Sequence, residues 1–290
     1  MADRPSQVIR RRRLAIELRR LRERAGLTGD AVGDRLGWSA SKISRIETYR
    51  IGLKPADLRR LLDLYEVTDE HRTELQALAR DSASPGQLDW IARGLPYDYL
   101  HYLTAEQEAR TIWCWEPLVV PGLLQTDAYA AAVMAGYQAT FRLPPADRER
   151  RVELRRMRQR ILTRDPPAEL VVVIDESVLQ RKYGDAVTMR QQLLRLIETS
   201  RLPNVDVRML ALGGTHSLGT GSFSLMQFSQ IHDVPLNDLV AVEHLTGSYY
   251  LEDEEQTHRY RVSFETLLGD ALNAADSLDL IHATAKNLWG

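Results

Sequence analysis

The sequence predicts a mostly α-helical N-terminal domain of five helices, followed by a larger α+β domain in which helices flank a small mixed sheet. Three observations lead to this fold class. Leucines recur at helical spacing from Leu14, two short helical segments meet at Gly37, and strand-like apolar runs begin after Pro167. A chain of 290 residues is long enough to bury two separate cores.

Domain boundaries follow from a change in composition. Residues 82–96, SASPGQLDWIARGLP, contain Ser, Pro and Gly, which interrupt regular structure, and show no sustained helical period. We therefore predict a helical domain at 1–81, a linker at 82–100 and an α+β domain at 101–290.

The first helix is predicted from Leu14, Leu18, Leu21 and Ala25, which recur at i, i+4, i+7 and i+11 and so share one face. Two further helices close this domain. One has Pro55 in its first turn, and the other opens at Thr68, each followed by leucines at helical spacing.

Residues 28–47, TGDAVGDRLGWSASKISRIE, predict two short helices that cross steeply at a tight turn. Gly37 suits the left-handed conformation that ends a helix, and Thr28 and Ser39 are suited to cap the two helices. Gly33 lies where the helices must approach each other, so a larger side chain there would hold them apart. Ile43 and Ile46 turn the second helix toward the core. This pattern predicts a helix-turn-helix.

The outward face of the second helix is short, polar and basic, which suits contact with DNA bases and phosphates. The alternative without a DNA-binding role is a helical hairpin with a solvated basic face. The residues we expect near base edges are Ser39, Ala40, Ser41, Lys42 and Arg45, and those expected near phosphates are Thr28, Ser44, Tyr49 and Arg50.

Charge is divided unevenly along the chain. The formal net charge is −2, yet residues 1–60 hold 16 Lys and Arg against 7 Asp and Glu. A basic module joined to an acidic body is what DNA binding through one end requires.

Helices are predicted to resume near Thr104 in the second domain. After Pro167 the predicted strands are ELVVVIDE, NVDVRMLAL, SFSLMQF, DLVAVEHL and GSYYLE. Helices are predicted at 187–200, 253–272 and 277–288. The strand–helix–strand opening predicts one parallel pair, with the later strands added antiparallel.

Three features of the second domain are candidates for a site. Glu176 follows a strand and is the best candidate for a functional carboxylate, although a structural role at the start of the next helix is the simpler interpretation. The basic helix predicted at 145–164 includes Arg155 and Arg158, weak candidates for contact with a ligand or partner. A solvated helix is the simpler interpretation, and an acidic protein partner is favoured over a second DNA surface. The glycine-rich loop at 213–223 could cradle an anion, but it lacks a phosphate-binding order of residues.

Composition argues against several other classes. The single cysteine, Cys114, excludes an internal disulfide, and the seven histidines show no metal-ligand spacing, so no metal or cofactor is expected. No stretch has the length of apolar sequence that a membrane helix needs, and no apolar signal core is present at the N-terminus. We therefore expect a cytoplasmic protein.

The N-terminal residues resemble the lambda-repressor/Cro (XRE-type) family of DNA-binding domains. Gly29 stands where that family usually has a Gln that touches phosphate. The resemblance rests on the segments LRRLRERAGLT, DRLGWSASKISRIE and LRRLLDLYEV.

Residues from about 100 to 285 resemble the domain that follows XRE-type helices in antitoxin-like bacterial regulators. That resemblance implies a transcription regulator controlled by a partner, such as a small toxin-like or regulatory protein encoded nearby. We expect a homodimer that binds an inverted repeat, with a small protein or ligand on the second domain changing its DNA affinity. An antitoxin that neutralises a partner, or an enzyme using the sheet domain, are the alternatives; we expect no enzyme. The matching segments are PGLLQT, RMRQRIL, VVVIDESVL, QLLRLIE, PNVDVRML, GSFSLMQF and AVEHLTGSYYLE.

Overall fold

The computed structural model describes most of the chain and divides it into two compact units. The described part of the first ends at residue 81, and the second begins at residue 97. Most of the predicted linker, residues 82–96, therefore lies outside the described residues. The described ranges are 7–49, 51–81, 97–137, 153–214, 216–217, 221–229, 237–244 and 247–290.

The first unit contains the five predicted helices. Leu14, Leu18 and Leu21 are buried on one face of the first helix, as their spacing predicted. They pack with Val32 and Ile43 in a single apolar core. The helices are α1 (Gln7–Arg24), α2 (Gly29–Leu36), α3 (Ala40–Glu47), α4 (Pro55–Leu64) and α5 (Asp69–Asp81).

The larger unit is built on a six-stranded mixed sheet of order β3-β2-β1-β4-β5-β6. The three strands β1, β2 and β3 are parallel, and the remaining pairs are antiparallel. The predicted α+β class, with a mixed sheet flanked by helices, is confirmed. The strands are β1 (Ala109–Glu116), β2 (Glu169–Asp175), β3 (Val205–Leu210), β4 (Phe223–Phe228), β5 (Leu239–His244) and β6 (Gly247–Leu251).

Helices cover both faces of this sheet. One face carries the main core, to which Ile112, Val172 and Leu193 contribute, and the other carries a second core around Phe264. The helix at Glu254–Asp270 covers the second face. The helices of this unit are α6 (Tyr97–Glu108), α7 (Asp127–Tyr137), α8 (153–159), α9 (Ser177–Gln180), α10 (Ala186–Thr199), α11 (Glu254–Asp270) and α12 (Ala274–Asn287).

Strand β1 was not predicted. The sequence indicated a helix from Thr104 onward, and this prediction is wrong. α6 instead begins at Tyr97 and ends at Glu108, and β1 follows without a loop. Ile112 and Cys114 face the main core, while Trp113 and Trp115 face the second one. Because both faces are covered, the strand lacks the polar–apolar alternation that marks a half-buried strand.

Candidate nucleic-acid interface

The turn between α2 and α3 depends on two glycines. Gly37 has a φ of +67°, in the left-handed region that favours glycine, and it ends α2. A Cβ on Gly33 would lie only 2.7 Å from the carbonyl oxygen of Trp38. The backbone of the turn therefore occupies the space that a side chain at position 33 would need, as predicted.

Hydroxyl groups cap both helices of the motif. Thr28 Oγ1 accepts a hydrogen bond from the Ala31 amide at 3.1 Å, and Ser39 Oγ accepts one from the Lys42 amide at 3.2 Å. Each cap satisfies one of the amides that a helix start leaves without a partner. The remaining amides and the helix dipole favour an anion such as a DNA phosphate at these helix starts.

The two faces of α3 differ sharply in exposure. Ile43 and Ile46 are buried in the core of the first unit. The opposite face forms an exposed ridge, which we call the α3 ridge. It consists of Ser39, Ala40, Ser41, Ser44 and Arg45, all of them exposed.

Arg45 is the cation of the α3 ridge. Its Nε donates to the carbonyl oxygen of Ser41 at 3.3 Å, which directs the guanidinium toward the first turn of the helix. Among the described residues it forms no ion pair. The guanidinium is therefore available to a guanine edge or a phosphate.

Lys42 has a different environment from the one we predicted. Its Nζ forms an ion pair with Asp57 Oδ2 at 2.9 Å and lies 3.6 Å from the centroid of the Trp38 ring. Lys42 therefore links α3 to α4 within the unit. A base contact would require it to leave Asp57.

The four predicted phosphate contacts differ in what the structure shows. Thr28 and Ser44 are exposed, and Tyr49 is half-buried with a φ of +47°, two residues after the end of α3. The carbonyl of Ser44 accepts a hydrogen bond from the Thr48 hydroxyl at 2.7 Å. Arg50 lies outside the described residues.

Two arginines that the sequence analysis did not single out hold the motif in place. Arg22 on α1 forms a two-point ion pair with Glu47 at the end of α3, at 2.7 and 3.0 Å. Arg60 donates to the Leu36 carbonyl at 2.7 Å and lies over the Trp38 ring. These partners are far apart in sequence, so no local spacing could have revealed them.

The three weaker candidates belong to the larger unit. Glu176 Oε2 accepts a hydrogen bond from the Leu212 amide at 2.9 Å, so it supports the loop after β3. The amide of Ser177 is bonded instead to Asp175 Oδ1. Part of the glycine-rich loop, residues 215 and 218–220, lies outside the described residues.

The two candidate arginines of α8 have separate roles. Arg158 is buried and forms a two-point ion pair with Glu106, at 2.6 and 2.7 Å. A solvated position for Arg158, the simpler interpretation of the sequence, is therefore wrong. Its guanidinium is buried and pairs with Glu106. Arg155 has no such partner among the described residues. The start of the predicted basic helix, residues 145–152, lies outside them.

In the described part of the chain, no three His, Cys, Asp or Glu side chains are grouped to hold a metal ion. None of the described helices is both long and apolar enough to cross a bilayer.

Together, the glycine turn, the two caps and the exposed ridge define a helix-turn-helix, the class of module that places its second helix in the DNA major groove. A family model described as a helix-turn-helix domain matches residues 13–75, so the chain carries the DNA-binding domain of a transcription regulator. A second model, described as Domain of unknown function (DUF5753), matches residues 99–283, and the chain belongs to this family. Searches of curated proteins and of solved structures gave no significant match.

Proposed function

We propose that the protein is a homodimeric, sequence-specific transcription regulator that reads an inverted repeat in duplex DNA. The observation that carries this proposal is the α3 ridge, a row of small residues on a helix whose other face is buried. Its cation, Arg45, forms no ion pair within the described part of the chain. Such a ridge fits the major groove, where side chains reach base edges.

The same geometry gives each neighbouring residue a role. Arg45 and Ser41 contact base edges, and the helix starts capped by Thr28 and Ser39 meet phosphates. With two such helix-turn-helix domains in a dimer, the centres of the two DNA half-sites lie about 34 Å apart, which is one turn of B-form DNA. The sequence resemblances to XRE-type and antitoxin-like regulators are consistent with this arrangement.

We assign control to the larger unit, which binds an effector rather than catalysing a reaction. The effector is a small molecule or a small regulatory protein. Glu176 is bonded to a backbone amide, which supports a structural role for this carboxylate. A ligand changes DNA affinity only to the extent that it binds the DNA-competent state better than the other state.

Selection from a random duplex library with the purified full chain tests the proposal. We expect enrichment of a palindromic sequence, two chains bound per site, and an affinity that falls steeply with salt as counterions are released. Enrichment of no sequence, or flat salt dependence, would overturn sequence-specific binding. A single chain bound per site would overturn the dimer.

A further inference from the structure

Helix α10 exposes two large apolar side chains on one face. Val187 and Leu194 are 63% and 43% exposed, and they lie seven residues apart, so they point the same way from the helix. Among the described helices, α10 alone exposes two such side chains. Large apolar side chains that share one exposed face are typical of a surface that contacts another protein.

The opposite face of α10 is fixed to the rest of the unit. Leu193 and Leu196 are fully buried in the main core. Gln192, also buried, donates to the Leu124 carbonyl at 2.9 Å and accepts a hydrogen bond from the Thr126 amide at 2.7 Å. These contacts hold the helix in place, so a protein that binds its exposed face does not have to order it first.

Opposite charges flank Leu194 on the exposed face. Arg190 precedes it by four residues and Glu198 follows it by four, so the three side chains form one i, i+4, i+8 row. Both charged side chains are exposed, and Arg190 forms no ion pair among the described residues. Glu198 accepts a hydrogen bond from Arg195 at 3.0 Å, yet 68% of its side chain is exposed. Both charges are therefore accessible to a second protein.

This row is complementary to a copy of itself that runs in the opposite direction. In a two-fold dimer, contact of one residue with another is repeated with the two copies exchanged. With the axis at Leu194, the two leucines meet and each Arg190 lies beside the Glu198 of the other copy. A parallel pair would instead bring like charges together. The charge pattern therefore favours an antiparallel pair of helices.

We propose that α10 is the dimer interface and that it packs antiparallel against α10 of a second copy of this chain. The inference rests on the proposed function, which requires two helix-turn-helix domains, and it names the surface that joins them. Leu194 and Val187 provide the apolar contact. The two symmetry-related pairs of Arg190 and Glu198 fix the direction and register of the helices.

Sedimentation of the purified full chain measures the dissociation constant of the dimer. We expect Arg190→Glu and Glu198→Arg each to weaken the dimer at least about tenfold, because like charges then face each other. An equal mixture of the two variants should dimerise about as tightly as the wild type, since each altered side chain then meets its opposite. Such rescue cannot arise from a folding defect in either variant.

Arg259→Glu is the matched control. Arg259 is an exposed arginine of α11, on the other face of the sheet, and is paired with Glu255. Its substitution should leave the dissociation constant unchanged. A wild-type chain that stays monomeric, unchanged dimers in both α10 variants, or a mixture that shows no rescue would each overturn the interface.

The substitution Leu194→Cys tests the position of the axis. A residue on the axis meets its own counterpart, so mild oxidation should link two copies of this variant. A disulfide requires Cα atoms within about 7 Å of each other. Val262→Cys, at an exposed position of α11, should not form the link, and the native Cys114 is buried. Absence of the link in Leu194→Cys, or equal linking in both variants, would overturn the register.

Failure of this interface can be distinguished from failure of the proposed function. Arg190→Glu should keep its affinity for a duplex with one half-site and lose at least about tenfold for the full inverted repeat. A wild-type dimer that α10 variants do not weaken would overturn the interface alone. A monomer that still selects a DNA sequence would overturn the interface and the dimer but not specific DNA binding. A dimer that selects no sequence would contradict the proposed function and support only the interface.

Discussion

Lys42 Nζ lies 2.9 Å from Asp57 Oδ2, so the recognition helix α3 is tied to α4 by a side chain whose sequence position suggested DNA contact. The ammonium group also lies 3.6 Å from the centroid of the Trp38 ring. Both charged side chains are partly buried, which weakens solvent screening of the pair. The cation is therefore held in the domain rather than presented to solvent.

Release of Lys42 should strengthen DNA binding. Asp57→Asn removes a negative charge near the α3 ridge and frees the ammonium group for a phosphate. The slope of log affinity against log salt should then steepen by about 0.9, as expected for one more phosphate contact. Gel-shift titration over a range of salt measures this slope. Asp63→Asn, on the same helix but paired with Arg72 on α5, is the control, and equal slopes for both variants would contradict the idea.

Arg45 should account for a large share of specificity. Arg45→Ala is expected to cost about 1–3 kcal/mol of specific binding and to relax the preference at one base position. Fluorescence anisotropy with operator and scrambled duplexes gives both quantities. Arg19→Ala provides a matched control, because Arg19 is an exposed arginine of α1 already paired with Glu23. Unchanged affinity in Arg45→Ala would remove this residue from the interface.

Gly33 should tolerate substitution poorly. In Gly33→Ala the new Cβ meets the Trp38 carbonyl oxygen at 2.7 Å, and overpacking of this kind costs about 1–3 kcal/mol. Gly37→Asn is the comparison, since asparagine adopts left-handed backbone and the space around Gly37 is open. Thermal unfolding followed by circular dichroism should rank Gly33→Ala as the less stable variant. The reverse order would show that the helices can separate at little cost.

The Arg158–Glu106 pair should be important for the stability of the larger unit. Glu106→Gln leaves a buried guanidinium without its counter-charge, which costs about 3–5 kcal/mol. Glu153→Gln breaks an exposed contact to Arg156 within α8 and should cost far less, because water screens that pair. Chemical denaturation measures both free energies of unfolding. Similar losses in the two variants would mean that the interior pair is solvated.

Glu116 should make stability depend on pH. Its folded-state pKa is raised from 4.5 to about 8, so the folded protein holds a proton that the unfolded chain releases between these values. The contribution of Glu116 to stability is therefore fully present below about pH 4.5 and lost as pH rises through about 8. Glu116→Gln should gain stability over the wild type as pH increases across this range. If the melting temperatures of Glu116→Gln and the wild type differed by the same amount at pH 5 and at pH 8, this prediction would be contradicted.

Local sequence rules were sufficient to predict the helix-turn-helix. Gly33, Gly37 and the capping residues Thr28 and Ser39 act on backbone within a few positions of themselves, so their roles could be inferred from spacing. The buried face of α3 followed from Ile43 and Ile46 for the same reason. The strands β2 to β6 were also predicted, because their apolar runs are bounded by turn residues.

Tertiary structure decided the placement of β1 and the partners of the charged residues. The sequence could not identify β1 as the strand between β2 and β4, because a strand covered on both faces has no alternating pattern. Nor could it pair Lys42 with Asp57 or Arg158 with Glu106. Ion pairs between distant residues depend on how the elements pack, whereas helix caps and turns depend on neighbours along the chain. This difference in range is why the sequence by itself determined the helix-turn-helix, while only the folded domain showed which charged residues pair with one another.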